Sequence, residues 1–521
     1  MEAAELLLAL LVVVATLVTV SRWLRLPYPV LQLVGGLAIG SLPFVPHIDV
    51  PPDLILALVL PPIVYAAAFF TPIRSFKQDI GNIASLAVGL VLASALAVAG
   101  VTIALVPGIT VAIAVTLGAI VSPPDEVAAT AVMERLAVPR RVIALLDGES
   151  LLNDATALTV FRVALAAAVA ETTAVTFAPL GTFVVVGIGG VAVGFAVGWI
   201  MVEIRSRLDE VPVAITASFV TPYASYVSAE LLGVSGVLAA VTAGLYLGRR
   251  QSRFMGSDVR IAGRAVWEML IFLLNGLVFI LIGLEISALL RVMDRDQIAA
   301  LAGIGLVVSV VLIVVRAIWI FAMAAWQRFI AHAEVLRVSE VLVLSWSGMR
   351  GAVSLAAALA LPTSIATGSP LPARDAVLVI TFTVILVTLV GQGLTLPVVI
   401  RAVRLGADED VAAEEREARA KLVEEALGRL DELDEKWPGH RPLIEQIRAA
   451  YQHRAEHQEQ LADGGASEAE QELIEHRQIR RSVIDAQRDA LLDMRDRGAI
   501  DDDVLRNIER DLDLEELRME A

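Results

Sequence analysis

Acidic, hydroxyl and amide side chains interrupt two apolar stretches between residues 121 and 162. Asp125 follows two prolines in the first stretch, and Asp154 lies within the second. A charge at bilayer depth costs roughly 2.5 kcal/mol or more, so acids in two adjacent apolar stretches indicate a functional site. Carboxylate and hydroxyl oxygens are hard ligands, and the chemistry they offer in such a place is the binding of a cation or a proton.

The spacing of the polar residues in the second stretch follows a helix. Ser150 and Asp154 are four residues apart, and Glu149 and Asn153 have the same separation. Residues four apart share one face of a helix. The spacing therefore predicts a face with a hydroxyl and a carboxylate, and a neighbouring stripe with Glu149 and Asn153. A purely structural network of buried polar groups is the alternative interpretation.

Two segments are predicted to break their helices. Ser122-Pro123-Pro124-Asp125 lacks two backbone donors, and a residue before proline is pushed out of helical geometry. Arg350 lies in the middle of a later apolar stretch, with Gly348 and Gly351 on either side. Transporters build ion sites at the bilayer midplane from such interrupted helices. The two breaks fit an inverted repeat whose interrupted helices cross at the site.

The composition divides the chain into a membrane domain, residues 1–405, and an acidic tail, residues 406–521. Hydrophobic residues make up 57% of the 521 residues and the mean hydropathy is +0.73, which exceeds what soluble proteins show. The tail beyond Gly406 has 33 acidic and 17 basic residues, a net charge of −16 that equals that of the whole chain. We expect the tail to be a cytosolic, regulatory helical domain, or extended helices that pack on a partner.

About thirteen apolar segments are long enough to cross a hydrocarbon core roughly 30 Å thick, which predicts an all-α polytopic membrane protein. They lie at residues 3–20, 29–46, 53–71, 81–106, 109–132, 144–170, 178–202, 212–231, 234–248, 265–290, 298–325, 339–361 and 374–400. The start of the chain lacks the basic region of a secretory signal, so the first segment is predicted to be retained.

Basic residues are distributed unevenly over the connections between these segments. The odd-numbered connections carry 18 Arg and Lys residues and the even-numbered ones carry 3. The positive-inside rule then predicts an outside N-terminus and a cytoplasmic C-terminus in a bacterial cytoplasmic membrane. Arg162 and Arg316 remain within spans, where either snorkelling to a span end or a structural ion pair would account for them.

The sequence shows no motif of an enzyme or of a nucleotide-driven pump. HExxH, a P-loop, GxSxG and a GxGxxG behind a strand are all absent. The chain has no cysteine, which excludes disulfides and thiolate metal sites. We therefore expect a secondary transporter without enzyme activity, cofactor or nucleic-acid partner. A gated cation channel, which would conduct current through an open pathway, is the alternative from another class.

Four motifs resemble those of one transporter family. The run GESLLNDA, Gly148–Ala155, resembles the signature of bacterial NhaP-type and eukaryotic sodium/proton exchangers, the electroneutral branch of the monovalent cation/proton antiporters. Ser122–Asp125 resembles the family's broken fifth helix, Leu60–Pro62 its third-span motif and Gly348–Ala352 its twelfth-span arginine motif. The likeness covers residues 5–404.

The resemblance implies electroneutral exchange of Na⁺ or Li⁺ for H⁺ by alternating access, in a homodimer with a rigid dimer-side domain and a moving core domain. K⁺/H⁺ exchange on the same scaffold is the alternative. Asp154 would bind the cation and the proton in turn, and Asp125, Ser150 and the Pro124 carbonyl would help to hold Na⁺. Asn153 would pin the unwound fifth span, and an amide at its position implies one-for-one exchange.

Other positions concern structure and departures from the family pattern. The resemblance implies a buried ion pair between Glu149 and Arg350, which would tie the sixth span to the twelfth. Many relatives have an acid just after the third-span motif, where this chain has Tyr65 and Ala66. Glu126 stands where a small or apolar residue is common. The third-span carboxylate is therefore missing from the predicted ligand set.

Overall fold

The computed structural model describes the backbone of residues 2–24, 27–42, 52–71, 73–133, 136, 138–170, 178–208, 210–331, 336–362, 364, 369, 371–403, 405, 409–462, 466–497, 499 and 501–520. The chain divides into two compact units, residues 1–407 and residues 408–521. Nearly all of the described residues are helical, and no strand is found among them.

The described residues of the first unit form sixteen helices. In chain order they are α1 (Glu2–Leu24), α2 (Tyr28–Gly40), α3 (Pro52–Phe70), α4 (Ile73–Gln78), α5 (Ile80–Leu105), α6 (Val111–Val121), α7 (Glu126–Met133), α8 (Arg140–Val169), α9 (Ala178–Arg205), α10 (Val211–Leu231), α11 (Gly236–Phe254), α12 (Ser257–Val292), α13 (Arg295–Trp326), α14 (Val338–Trp346), α15 (Ala352–Leu359) and α16 (Arg374–Ala402). Each apolar segment predicted from the sequence contains one of these helices or a pair of short ones.

Six of the described helices are long and apolar enough to cross a bilayer, namely α5, α8, α9, α12, α13 and α16. Shorter apolar helices lie at residues 12–21, 28–40, 57–70 and 111–121. Large apolar side chains such as Leu96, Ile188 and Ile318 are about two-thirds exposed, which suits contact with lipid. Helices satisfy all backbone groups internally, as lipid requires. The protein is an all-α, multi-pass membrane protein; the count of thirteen crossings and the orientation of the termini stay predictions.

The helices of the first unit pack in two groups. In the flanking group, α2 packs on α12, α9 packs on α11, and α11 packs on α3. In the site group, α5 packs on α6, α6 packs on α8, and α13 packs on α16. The half-helix α15 joins the two, because it contacts α3 and α12 as well as α6 and α16. A cavity beside α15 is therefore walled by both groups.

The turn between α10 and α11 separates the predicted apolar segments 212–231 and 234–248, whose boundary is indistinct in the hydropathy pattern. Gly233 has a φ of 70°, a left-handed conformation that glycine adopts without steric cost after a helix end. Ser235 then caps α11, because its Oγ accepts a hydrogen bond of 3.3 Å from the backbone nitrogen of Leu238.

The described residues of the second unit form four α-helices: α17 (Glu409–Lys436), α18 (Arg441–Ala462), α19 (Ala466–Asp496) and α20 (Asp502–Glu520). Each packs on the next. Ile484 and Leu491 of α19 are buried, as are Leu505 and Leu512 of α20. Beside them the Arg488 guanidinium lies 2.6 Å from a carboxylate oxygen of Glu516. The exposed surface is charged, and the buried apolar side chains lie in small interfaces between neighbouring helices.

Candidate functional site

Both predicted helix breaks are present, and they touch. The first separates α6 from α7 at residues 122–125, and the second separates α14 from α15 at residues 347–351. The backbone nitrogen of Asp125 donates a hydrogen bond of 2.7 Å to the carbonyl of Met349. This bond joins the two irregular segments directly, so the crossing of the interrupted helices is confirmed.

Side chains satisfy the backbone carbonyls that the breaks leave without helical partners. Asn153 Nδ2 donates to the Pro124 carbonyl at 3.1 Å. Arg350 Nε donates to the carbonyl of Val121, the last residue of α6, at 3.0 Å, and Arg350 Nη1 donates to the carbonyl of Gly348. A buried carbonyl without a donor would cost free energy, so these bonds allow irregular backbone at membrane depth.

The Arg350 contacts correct the predicted ion pair. Glu149 pairs with Arg316 of α13 and not with Arg350: Arg316 Nη1 and Nη2 lie 2.6 and 2.9 Å from Glu149 Oε1 and Oε2. Arg316 Nε donates to the Leu344 carbonyl in α14 at 2.9 Å. The planar guanidinium of Arg316, on a neighbouring helix, forms two parallel hydrogen bonds to the Glu149 carboxylate. Arg350 lies within the break and donates its hydrogen bonds to the backbone carbonyls there.

A cavity of about 60 Å³ lies beside the crossing point. The site group contributes Asp125, Ser150 and Asp154 to its wall, and the flanking group contributes the apolar residues of α3 and part of α12. Asp154 is almost completely buried, whereas Asp125 is half-buried. The cavity thus brings together two carboxylates and a hydroxyl, which can ligate one small cation or accept a proton.

The predicted ligand residues are all found at this place. Pro124 lines the same cavity, and Asn153 is fully buried behind it with its amide on the Pro124 carbonyl. Glu126 begins α7, but its side chain is outside the described part of the structure.

Two further polar residues line the cavity, and the sequence reasoning missed both. Asn275 of α12 is buried and approaches from the flanking group. Ser354 of α15 is buried, and its hydroxyl has no hydrogen-bond partner among the described residues. A lone amide in an apolar span could have marked Asn275 as a candidate site residue. Nothing in the sequence distinguished Ser354 from other serines.

The third span supplies no acid to the cavity. Ile63, Val64 and Ala67 of α3 form its wall there. Tyr65 is buried against Trp267, with ring centroids 5.4 Å apart, and lines a different cavity. The acid that many relatives have just after the third-span motif is therefore missing here, and the α3 wall of the cavity is apolar.

Gly351 is needed for the position of Asp125. A Cβ atom at Gly351 would overlap the Asp125 carboxylate. We expect Gly351→Ala to turn that carboxylate away, and the loss of a charged contact of about 1.5–3 kcal/mol would raise the KM for a cation that binds in the cavity roughly 10- to 100-fold. Cation-dependent proton flux in vesicles measures this KM. Gly100→Ala is the matched control because a Cβ there meets nothing within 4 Å; equal KM values for the two variants would contradict the close fit.

Comparisons with known proteins point to one family. A family model described as "Sodium/hydrogen exchanger, transmembrane" matches residues 8–402. An uncharacterized Na⁺/H⁺ exchanger of Mycobacterium tuberculosis is 32% identical over 506 residues, which cover 95% of this chain and 92% of that protein. A sodium, potassium, lithium and rubidium/H⁺ antiporter of Bacillus pumilus is 31% identical over 82% of this chain and 66% of its own length.

A solved structure supports the fold. The sodium proton antiporter MjNhaP1 from Methanocaldococcus jannaschii, solved at pH 8, superposes with a TM-score of 0.59 at 20% sequence identity, covering 77% of this chain and 98% of the other. These similar proteins are transporters and not enzymes, as the sequence predicted. With a family model matched over most of the chain and the two crossed breaks in place, this chain belongs to the sodium/hydrogen exchanger family of transmembrane proteins.

Proposed function

We propose that the protein is a secondary active transporter that exchanges Na⁺ or Li⁺ for H⁺ one for one. The observation that carries this proposal is the single cavity at the helix crossing, which Asp125, Ser150 and Asp154 line together. Asp154 is the carboxylate that holds the cation and the proton alternately. An ionised carboxylate in a low-dielectric interior is costly unless a proton or a cation neutralises it, so one occupant enters as the other leaves.

Oxygen atoms on the site group form the main ligand set for the ion. Asp154 and Asp125 supply carboxylate oxygens, and Ser150 supplies a hydroxyl. The Pro124 carbonyl has a second lone pair besides the one used by Asn153, so it can contribute as well. Ser354 adds a buried hydroxyl whose hydrogen-bonding capacity is unused among the described residues.

The size of the cavity sets how the ion is held. A cavity of about 10–15 Å³ already holds one water molecule, and this one measures about 60 Å³. The cavity therefore accepts a monovalent cation together with water. Asn275 is a polar contact from the flanking group, and among the described residues that line the cavity only Asp125 and Asp154 are carboxylates.

Alternating access follows from the position of the cavity between two packed groups. When Asp154 is neutralised, the site group can move against the apolar wall of α3 without carrying a net charge across it. An empty site with Asp154 ionised would have to move an unpaired charge past this wall. The free-energy cost of that movement suppresses leak. Asn153 keeps the break fixed and adds no charge of its own, in accord with electroneutral exchange. An outside N-terminus, a cytoplasmic tail with a regulatory role, and a homodimer remain parts of this proposal.

K⁺/H⁺ exchange is the second candidate. The Bacillus pumilus relative is described as an antiporter of sodium, potassium, lithium and rubidium, and the residues of α3 that line the cavity are apolar, which leaves its wall uncharged on that side. A site with fewer fixed charges competes less strongly for the smaller ion, since smaller ions pay more to lose their water.

Everted membrane vesicles test the proposal. A respiration-generated pH gradient is followed with a fluorescent dye while Na⁺, Li⁺ and K⁺ are added in turn. We expect Na⁺ and Li⁺ to dissipate the gradient, with no current in a solid-supported membrane recording because exchange is one for one. A response to K⁺ alone would replace the first candidate with the second, and large ohmic currents would indicate a gated channel instead of an exchanger.

A further inference from the structure

A second cavity contains a buried guanidinium that has no acidic partner among the described residues. Arg205, the last residue of α9, is 3% exposed, and its Nε and Nη1 have no hydrogen-bond partner among the described residues. Its Nη2 reaches the sulfur of Met255, at 3.9 Å, its guanidinium lies 5.5 Å from the centre of the Phe254 ring, and the Tyr65 hydroxyl is a further, neutral partner. None of these contacts neutralises the charge.

Such an arrangement is costly unless an anion completes it. The penalty for burying a single unpaired ion amounts to several kcal/mol even after relaxation and water penetration. Buried charges in proteins are therefore paired or bound to an ion. The residues that line the cavity beside Arg205 include no Asp or Glu, so the lining itself does not supply the missing charge.

The lining of the cavity is basic and polar. Arg260 and Arg264 are four residues apart at the start of α12, so both point to the same side, and Gln251 and Ser218 add further polar groups. Arg264 Nε also lies 2.8 Å from Glu268 outside the cavity, and Arg260 Nη1 donates to the Met255 carbonyl. Each of these arginines keeps further N–H donors, because a guanidinium has five.

We propose that this cavity binds a phosphate-type anion, either the phosphate of an anionic phospholipid or inorganic phosphate. The cavity measures about 20 Å³, room for at least one group of the size of a water molecule, such as a phosphate oxygen. Phosphate oxygens would enter towards Arg205, and the rest of the anion would remain outside beside Arg260 and Arg264. Guanidinium groups match phosphate oxygens on paired bonds.

The surroundings suit a lipid. Ile261 and Met269 of α12 are about two-thirds exposed near the arginines, so apolar chains can lie along the same helix. Basic pockets between membrane helices on the cytoplasmic side bind anionic headgroups, and the positive-inside rule places these arginines on that side. This site does not depend on which cation is exchanged.

The test measures the melting temperature of the purified full-length protein in delipidating detergent. Phosphatidylglycerol, phosphatidylcholine or inorganic phosphate is then added. We expect phosphatidylglycerol to raise the Tm of the parent protein by roughly 3 °C or more, and phosphatidylcholine to have a much smaller effect. A matching rise with inorganic phosphate would identify the site as a general phosphate site, and its absence would identify the lipid as the source.

Variants assign the effect to the cavity. Arg205→Met and the double variant Arg260→Gln/Arg264→Gln should lose at least half of the rise. Arg249→Gln/Arg253→Gln removes the same charge from exposed positions of α11 outside the cavity and should keep it. If Arg205→Met does not fold, the two double variants decide. The proposal is overturned if the parent responds to neither anion, or if the Arg260/Arg264 variant responds like the Arg249/Arg253 variant.

Discussion

Asp154→Asn should reduce cation-dependent proton exchange at least about 100-fold, to the background of empty vesicles. The substitution keeps the size of the side chain but removes the charge that is proposed to bind the cation and the proton in turn. A buried charged contact is worth roughly 3–5 kcal/mol, and about 1.4 kcal/mol corresponds to a factor of ten in rate. Initial rates of gradient dissipation at saturating Na⁺ in everted vesicles measure the effect.

The control for this result is an acid that is remote from the cavity. Glu203 on α9 is exposed and pairs with Arg207 one turn away, so Glu203→Gln should exchange like the parent. The expression level and monodispersity of Asp154→Asn should also equal those of the parent, since a neutral amide is less costly to bury than an unpaired carboxylate. Exchange by Asp154→Asn at the parental rate would refute the role given to Asp154.

The second large effect concerns the buried pair between Glu149 and Arg316. Glu149→Gln and Arg316→Gln should each destabilise the folded protein by about 3–5 kcal/mol, because each leaves the partner charge buried and unpaired. Both residues are essentially inaccessible to solvent, so water cannot compensate for the loss. Thermal unfolding in detergent should show each single variant with a Tm lowered by roughly 5 °C or more.

Double variants distinguish this pair from the one implied by the family resemblance. Glu149→Met/Arg316→Met removes both charges and should recover most of the lost Tm, since apolar residues often replace a buried ion pair without loss. Glu149→Gln/Arg350→Gln should show no recovery, because Arg350 bonds to the Val121 and Gly348 carbonyls. Recovery in the Arg350 double variant and none in the Arg316 double variant would contradict the pairing described here.

Much of the fold could be predicted because local signals and long-range geometry agree. Pro123 and Pro124 remove two backbone donors and disfavour a helix, and the glycines around Arg350 favour a second interruption; both breaks are observed. The hydropathy pattern predicted where helices lie. The spacing of Ser150 and Asp154 predicted a shared face, and both side chains line the cavity.

What the sequence could not specify is which distant groups meet. Arg316 lies 167 residues from Glu149, and the register of a 32-residue helix, α13, decides whether its guanidinium faces lipid, water or the interior. The sequence reasoning left Arg316 open between snorkelling and pairing for this reason. Asn275 faces the cavity because α12 packs beside α15, a contact that no local pattern encodes.

The hydrogen bond from Asp125 to Met349 has a consequence for the direction of transport. Because this bond and those of Arg350 tie the two interrupted helices together at their midpoints, neither can shift alone without breaking several buried contacts. The ligands would then travel as one intact set, and the ion would meet the same oxygens from either face of the membrane. Intrinsic affinities on the two sides would be nearly equal, so exchange under equal and opposite gradients would run at similar rates in both directions.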